Sequence, residues 1–465
     1  TIERDLRRTH GVDHNTGGIR GIPHLELVFE VQRHIAERGA LKTHEGELAV
    51  VKPSHVIGRA DMHVVRIHLM GHHGGDGARL RDLLGLEART LQHVHEVHVA
   101  AHIELVGAVE THTTVFEQAG EHTVRDRGAD LALDVVADDR HAGIAELLGA
   151  APEEIIYTSG ASESNNLALK GIVQASRHVG KHIISTALEH SSVGGALSAL
   201  QQQGCEVDLV DIRRDGTIDS EHLRELLRKD TVLVAICAVD SELGTVQPIQ
   251  EIADILRDYP NCRLHVDATQ AVGKTKLVLS GVDTMSIAPH KFYGLNGSGL
   301  LVKKKDLVIE PQIHGGGSTT PYRSGTPALG MAMSIEKALR LALENQNERI
   351  AHVAALNRLL RAELAKYPKV RFNSPENAVP HILNLSVNGV KGTAFQQELG
   401  KNDVCVSVKS ACSVEGTPSK AVYAVSRDRK NALSSWRISL SHLTTEAEIA
   451  EFLQIFDRCY RELAQ

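Results

Sequence analysis

The sequence predicts an α/β protein, with a mostly parallel, doubly wound large domain over residues 142–327 and a smaller C-terminal α/β domain over 328–465. Three observations carry this. From about Gly143, short β-branched runs alternate with amphipathic Ala/Leu/Glu-rich stretches, the pattern of βα units. After Thr326 the alternation gives way to a long helical stretch and a second, shorter αβ set. Upstream the composition changes: 17 of the 27 histidines lie at or before His141, and Phe29 and Phe116 are the only aromatic residues there. So few large rings leave little to build a core from, and residues 1–141 form a His-rich segment of uncertain fold.

The elements follow in order. Strands are expected near Glu154–Thr158, His182–Thr186, Glu206–Val210, Thr231–Cys237, Arg263–Asp267, Thr284–Ala288 and Gly299–Lys303, each a short β-branched or apolar run. Helices over Glu163–Ser176, Ser220–Arg228 and Ile249–Asp258 fill gaps between them. The long helical stretch is Ala328–Tyr367, and Val370–Gln465 supplies the smaller domain. Strands alternating with helices imply a sheet covered on both faces, whose ligands sit at the carboxyl ends of the strands. Motifs at those ends therefore matter most.

Composition narrows the function. A chain of 465 residues, 42 % hydrophobic and 23 % charged, is neither a disordered nor a fibrous sequence. The formal net charge of -7 gives no electrostatic footprint for nucleic acid or an anionic membrane. No run of about 18 apolar residues occurs, and the start TIERDLRRTH has no apolar signal core, so a cytoplasmic location is expected. The six cysteines include no CxxC pair, which argues against a disulfide framework or a zinc cage.

Four motifs carry chemistry. The run from Ile155 to Asn166, IIYTSGASESNN, is a strand, a small-residue turn and a helix start. Such a turn lets a phosphate approach the free N–H groups of the first helical turn, although an ordinary turn capped by Ser162 has the same look. His265-Val266-Asp267-Ala268-Thr269-Gln270 ends an apolar strand in an acid. That acid either caps the next helix or meets a cation, for which the protonated ring nitrogen of pyridoxal phosphate is a candidate. Ser286-Ile287-Ala288-Pro289-His290-Lys291 places a lysine at a strand end. There, in a partly dehydrated cleft, it can form a Schiff base, while elsewhere it would be a solvated charge. Finally, Cys412 enters a Gly/Ser/Thr/Pro stretch with Lys409 nearby, and is either a reactive thiol or a chance loop cysteine. Cys237, within Val234-Ala235-Ile236-Cys237, reads as buried and inert.

With TSGASESNN, ALEHSS, HVDATQAVG, APHKFYG, RSGT, SACS and WRISLSH in this order, residues 142–465 closely resemble the cysteine desulfurases. These are pyridoxal-phosphate enzymes of the class V aminotransferase family with the fold type I transferase architecture. The resemblance implies that Lys291 holds the cofactor covalently and that His190 stacks on its ring. It places Asp267 on the pyridine nitrogen and Gln270 on the ring hydroxyl, with Gly160, Ala161, Ser162 and His290 around the phosphate. Thr326 of RSGT would reach the phosphate of a neighbouring subunit, implying a homodimer, and Arg437 would clamp the substrate carboxylate. The implied substrate is L-cysteine. Cys412 would attack its sulfur, leaving alanine and a persulfide for an acceptor protein, either an iron-sulfur scaffold or a tRNA-thiolation partner.

The chain departs from the family pattern at three places. Asp240-Ser241-Glu242-Leu243-Gly244 stands where an Asn-Asn or Asn-Ser pair usually precedes Glu-Ile/Leu-Gly, which sets a carboxylate near the cofactor. Ala288 replaces a serine that donates to phosphate, a loss of about 1 kcal/mol. The family's YLDNAATT-like opening strand and HxxG helix are absent from residues 1–141. Two other readings stand beside a desulfurase. One is a selenocysteine lyase or other fold type I lyase. The other is a metal-binding or interaction module in the N-terminal segment, where His98 and His102 would share a helix face beside His93 and His95.

Overall fold

The structure, a computed structural model, describes residues 50–56, 63–68, 142–316, 320–326, 328–409 and 416–464. The histidines His93, His95, His98 and His102, and the predicted nucleophile Cys412, lie outside the described residues. By its contacts the chain divides into two units, Thr1–Leu105 and Val106–Gln465. In the first, strands β1 (Val50–Val56) and β2 (His63–His68) pair antiparallel, with Val51 opposite Ile67.

In the second unit a seven-stranded sheet comprises β3 (Ile155–Thr158), β4 (His182–Ser185), β5 (Glu206–Leu209), β6 (Thr231–Cys237), β7 (Arg263–Asp267), β8 (Thr284–Ile287) and β9 (Gly299–Lys303). Their spatial order is β3-β9-β8-β7-β6-β4-β5. All run in one sense except β9, which is antiparallel to both its neighbours. The carboxyl ends of β3, β4, β6, β7 and β8 therefore share one edge of the sheet. Every residue of β6, Thr231-Val-Leu-Val-Ala-Ile-Cys237, is buried. Such unbroken apolarity marks a strand covered on both faces. Alternate residues feed two cores: Ile155, Ile184, Val234 and Ile236 enter one, and Ile156, Ile183, Leu233 and Ala235 the other. β5 is the open edge, and there Glu206 pairs with Arg228 at 2.7 Å, a charge that discourages pairing with another chain.

Helices α1 (Ala161–Ala175), α2 (Ser191–Gln202), α3 (Ser220–Leu226) and α4 (Ile249–Leu256) occupy the connections. One expectation is corrected. The stretch Ala328–Tyr367 is not one helix but two, α5 (Leu329–Leu343) and α6 (Gln346–Leu364). Asn345 interrupts them in the left-handed region at φ 54°, a conformation that asparagine tolerates better than most residues. The guanidinium of Arg349 closes the joint by donating to the Leu341 carbonyl.

The smaller domain is a three-stranded antiparallel sheet of β10 (Val370–Phe372), β11 (Ile382–Val387) and β12 (Ser435–Ser439). It packs with α6, α7 (Gly392–Gly400) and α10 (Glu446–Leu463) around Phe395, Trp436 and Phe456. Trp436 is fully buried and stacks on Phe395 with ring centroids 5.3 Å apart. Between β11 and β12 lie the short helices α8 (Lys420–Ser426) and α9 (Arg429–Ser434). The two sheets meet at the turn after β6: Ser374 Oγ donates to the Leu243 carbonyl at 2.6 Å, and Val379 N to the Gly244 carbonyl at 2.9 Å. No helix of the described residues is long and apolar enough to cross a membrane.

Candidate active site

Five chain segments leave the shared sheet edge, and each delivers a residue singled out by sequence. After β3 the backbone turns at Ser159-Gly160 into α1, which starts at Ala161. Ser164 Oγ fixes this turn by lying 2.8 Å from Thr158 Oγ1 and donating to the Leu300 carbonyl at 3.0 Å. The start of β9 crosses so closely that a Cβ on Gly299 would come within 2.5 Å of Gly160, so only glycine fits there. The first N–H groups of α1, which include Ala161 and exposed Ser162, have no partner within the helix and point where an anion would lie. Glu163, in the same turn, accepts from Ser159 N at 2.7 Å and from Arg323 Nε at 2.9 Å. Burial works to raise its pKa, but these bonds outweigh it and hold the carboxylate below its ordinary range. Through Arg323 the RSGT segment is pinned beside the turn, with Thr326 exposed three residues on.

Asp267 ends β7, 4 % exposed. Its Oδ1 accepts from Thr269 N at 3.0 Å and its Oδ2 from Asn165 Nδ2 at 2.9 Å. The local capping expected of a strand-end acid is therefore present, and the second oxygen is engaged by α1 instead. Asn165 also donates to Ser192 Oγ at 2.9 Å, and its own Oδ1 lies 3.0 Å from His265 Nε2. His265 in turn has Nδ1 2.9 Å from Thr284 Oγ1, and burial drives its pKa down, leaving it neutral. The chain ends at His190, whose Nδ1 accepts from Ser192 N at 3.2 Å and lies 2.9 Å from Ser192 Oγ. With Nδ1 used as an acceptor, the hydrogen bonds assign the imidazole proton to Nε2. A continuous polar network, Thr284–His265–Asn165–Ser192–His190, thus branches at Asn165 to Asp267.

Lys291 lies in a 3-10 turn over Pro289–Phe292 just after β8 and is exposed, as is His290. Of the two settings open to it from sequence, a partly dehydrated cleft or an exposed position, Lys291 takes the exposed one. Tyr293 follows at φ 71°, a left-handed conformation that is strained for an aromatic residue. Gln270 accepts from Lys274 Nζ at 2.7 Å through its carbonyl oxygen, which leaves its NH2 as the donating end. Burial together with the charges of Lys291 and Arg437 pushes the Lys274 ammonium down to about 8. Arg437 comes from β12, spans the gap between sheets and donates Nη1 to the Ser241 carbonyl at 2.5 Å. Lys291, Lys274 and Arg437 are therefore near enough to feel each other's charge. Cys237 is buried, and its thiol is pushed well above its usual range by burial and by Glu189. Among the described residues no group of three His, Cys, Asp or Glu is placed to hold a metal ion.

Asn165, Ser192, His265, Glu189 and Lys274 were not singled out from sequence. All lie inside or beside the motif runs, so proximity to a motif was their one available signal.

A buried carboxylate bonded only to neutral groups is built to meet a cation, and Asp267 at a strand end fits a protonated pyridine nitrogen. A helix start beside Gly160 fits a phosphate. The model of the aminotransferase class-V family matches residues 118–452, starting ahead of the composition shift at 141. The chain belongs to this family, whose members are pyridoxal-phosphate enzymes. Within it, the chain is 40 % identical over 333 residues to cysteine desulfurase IscS of Serratia proteamaculans, covering 70 % of this chain and 81 % of that one. It is 38 % identical over 328 residues to a NifS/IcsS protein homolog of Lactobacillus delbrueckii, covering 69 % and 85 %. A solved NifS-like protein superposes with a TM-score of 0.67 at 30 % identity, covering 72 % of this chain and 89 % of that one. DndA from Streptomyces lividans gives 0.59 at 31 % identity, covering 73 % and 96 %.

Proposed function

We propose that this chain is a pyridoxal-phosphate-dependent cysteine desulfurase that moves sulfur from L-cysteine to Cys412. In the overall exchange the C–S bond of L-cysteine breaks, the sulfur bonds to Cys412 Sγ, and a proton takes its place on carbon, giving L-alanine and a persulfide. The carrying observation is the hydrogen-bonded chain from buried Asp267 and Asn165 through half-buried Ser192 to His190, which couples the acid that would meet a cofactor ring to the imidazole. The kinship with cysteine desulfurases supports the choice of substrate.

When bound, pyridoxal phosphate supplies an electron sink that weakens the bonds at the substrate's Cα. Lys291 would hold it covalently, Gln270 would donate to its ring hydroxyl, and Gly160, Ala161, Ser162 and His290 would surround its phosphate. His190, with its proton on Nε2, presents a donor there. Arg437 offers a planar fork for the substrate carboxylate, a bidentate task that lysine performs poorly. Cys412 would then pass its sulfur to an acceptor protein, an iron-sulfur scaffold or a tRNA-thiolation partner. Thr326 would complete the phosphate site of a second subunit in a cytoplasmic homodimer.

Purified protein given pyridoxal phosphate is expected to show a visible absorption band that Lys291→Ala abolishes, and to release sulfide and alanine from L-cysteine with a reductant. A folded protein with no band would remove the enzyme reading. Selenocysteine consumed in strong preference to cysteine would move the assignment to a lyase.

A further inference from the structure

The turn after β6 and the β12 arginine facing it carry two buried polar atoms with nothing to bond. Asp240 is 1 % exposed. Its Oδ1 accepts from Glu242 N at 3.0 Å and also from Leu243 N, while Oδ2 is buried without a hydrogen-bond partner. Arg437 uses Nη1 on the carbonyl of Ser241, the next residue in the turn, and its Nε is likewise buried without a partner. An unmet carboxyl oxygen and an unmet guanidinium N–H, on two residues in electrostatic contact, describe a site built for a third group.

Resting on the reading of Arg437 as a carboxylate clamp, we propose that Asp240 takes up a proton when a carboxylate ligand docks on Arg437, and that its Oδ2 then donates to that ligand. The charges on the two facing segments favour it. Glu242 faces Asp240 from the same turn and Cys237 from the end of β6, and among the described residues Arg437 from β12 is the cation whose charge acts on it. The Glu242 carboxylate is held in place by Ser419 Oγ at 2.5 Å. An arriving carboxylate makes three acids beside Arg437; Lys274, lowered by burial to about 8, also feels Arg437 but keeps its Nζ on Gln270, so the group placed to take the relieving proton and turn it toward the ligand is Asp240. Oδ1 already accepts two N–H bonds, so protonation falls on Oδ2, where the new O–H points at the vacant acceptor position. Burial, and next the Glu242 charge, push the Asp240 carboxyl up to about 7, against the two N–H bonds and Arg437, so the proton exchanges near neutral pH. An asparagine with the same Oδ1 bonds would present a permanent N–H there and would not titrate. Asp240 on this account is a positioning residue that makes carboxylate capture depend on pH.

Isothermal titration of the pyridoxal-phosphate-loaded protein with 3-mercaptopropionate, a substrate-like carboxylate with no amine, tests this apart from turnover. Titrations in phosphate and in Tris at about pH 8 count the protons taken up per ligand. Wild type is expected to take up close to one proton more than Asp240→Asn, and its affinity to weaken about tenfold between about pH 6 and pH 8 while that of the variant stays level. Asp240→Ser, which cannot titrate either, serves the same comparison if the asparagine variant does not fold. Equal proton uptake and parallel pH dependence in wild type and variants would overturn the proposal. Failure of the clamp itself has a separate signature: Arg437→Lys binding 3-mercaptopropionate as tightly as wild type, or no binding by wild type at about pH 6, removes Arg437 and the proposal together.

Discussion

Asn165 is the hub of the candidate site, because its amide donates to both Asp267 and Ser192 while its carbonyl oxygen meets His265. Replacing it with leucine takes a hydrogen bond from buried Asp267 and His265 and from half-buried Ser192 at once. Each such loss costs about 1–3 kcal/mol, so Asn165→Leu is expected to lower thermal stability clearly even though the side-chain volume is nearly kept. A melting temperature unchanged from wild type would mean that the network carries no energy. Asp267 and Lys291 were legible in the sequence at strand ends, where a parallel sheet puts its ligands, and His190 through the family resemblance alone. The network itself was not. Asn165 meets Asp267 across 102 residues of chain and His265 across 100, and no local pattern records such a pairing. The 3-10 turn that carries Lys291 was not legible either, because it goes with Pro289 and the left-handed Tyr293 rather than with hydrophobic periodicity.

At the scale of elements, the large sheet was readable almost strand by strand. Its β-branched runs are short and their neighbours amphipathic, and the differences are a residue or two at strand and helix ends. The break between α5 and α6 was not readable, since Leu-Glu-Asn-Gln has ordinary helical composition and only the left-handed backbone at Asn345 ends the first helix. The same backbone makes a prediction. Asn345→Gly should be close to neutral, whereas Asn345→Val forces a β-branched residue into the left-handed region and is expected to cost about 1–2 kcal/mol. Thermal unfolding separates the two, and equal melting temperatures would mean that the joint tolerates any residue. The position of Arg323, bridged to Ile313, is a second feature that composition hid. Its place beside α1 depends on the Arg323–Glu163 pair, two charges 160 residues apart.

Across the whole molecule, buried titrating groups set how stability responds to pH. Burial, assisted by the charge of Asp267 and opposed by bonds from Cys237 N and Thr186, raises the Glu189 carboxyl from 4.5 to about 8. A raised acid keeps its proton in the folded state and loses it in the unfolded one, so its contribution is full below 4.5 and is lost as pH climbs to about 8. His381 acts in the opposite sense: burial, with Lys274 and His442 nearby, lowers it from 6.5 to about 4, so stability rises with pH between those values. From 6.5 toward 8 the raised carboxyls dominate, opposed near the top of that range by Lys274, which burial lowers to about 8. The melting temperature of wild type is therefore expected to fall between about pH 6.5 and 8, and Glu189→Gln to flatten that slope by up to about 1.4 kcal/mol per pH unit. A slope unchanged in the variant would show that Glu189 is ionised in the folded protein. The central claim is sulfur transfer to Cys412, and one measurement meets it directly. Loaded protein is mixed with L-cysteine and no reductant, and the digested peptides are weighed while alanine is counted. The account predicts a Cys412 peptide heavier by one sulfur atom, alanine in equal amount, and neither product from Cys412→Ala. Alanine formed undiminished by the Cys412→Ala variant, or the extra sulfur found on a peptide of another cysteine, would contradict it.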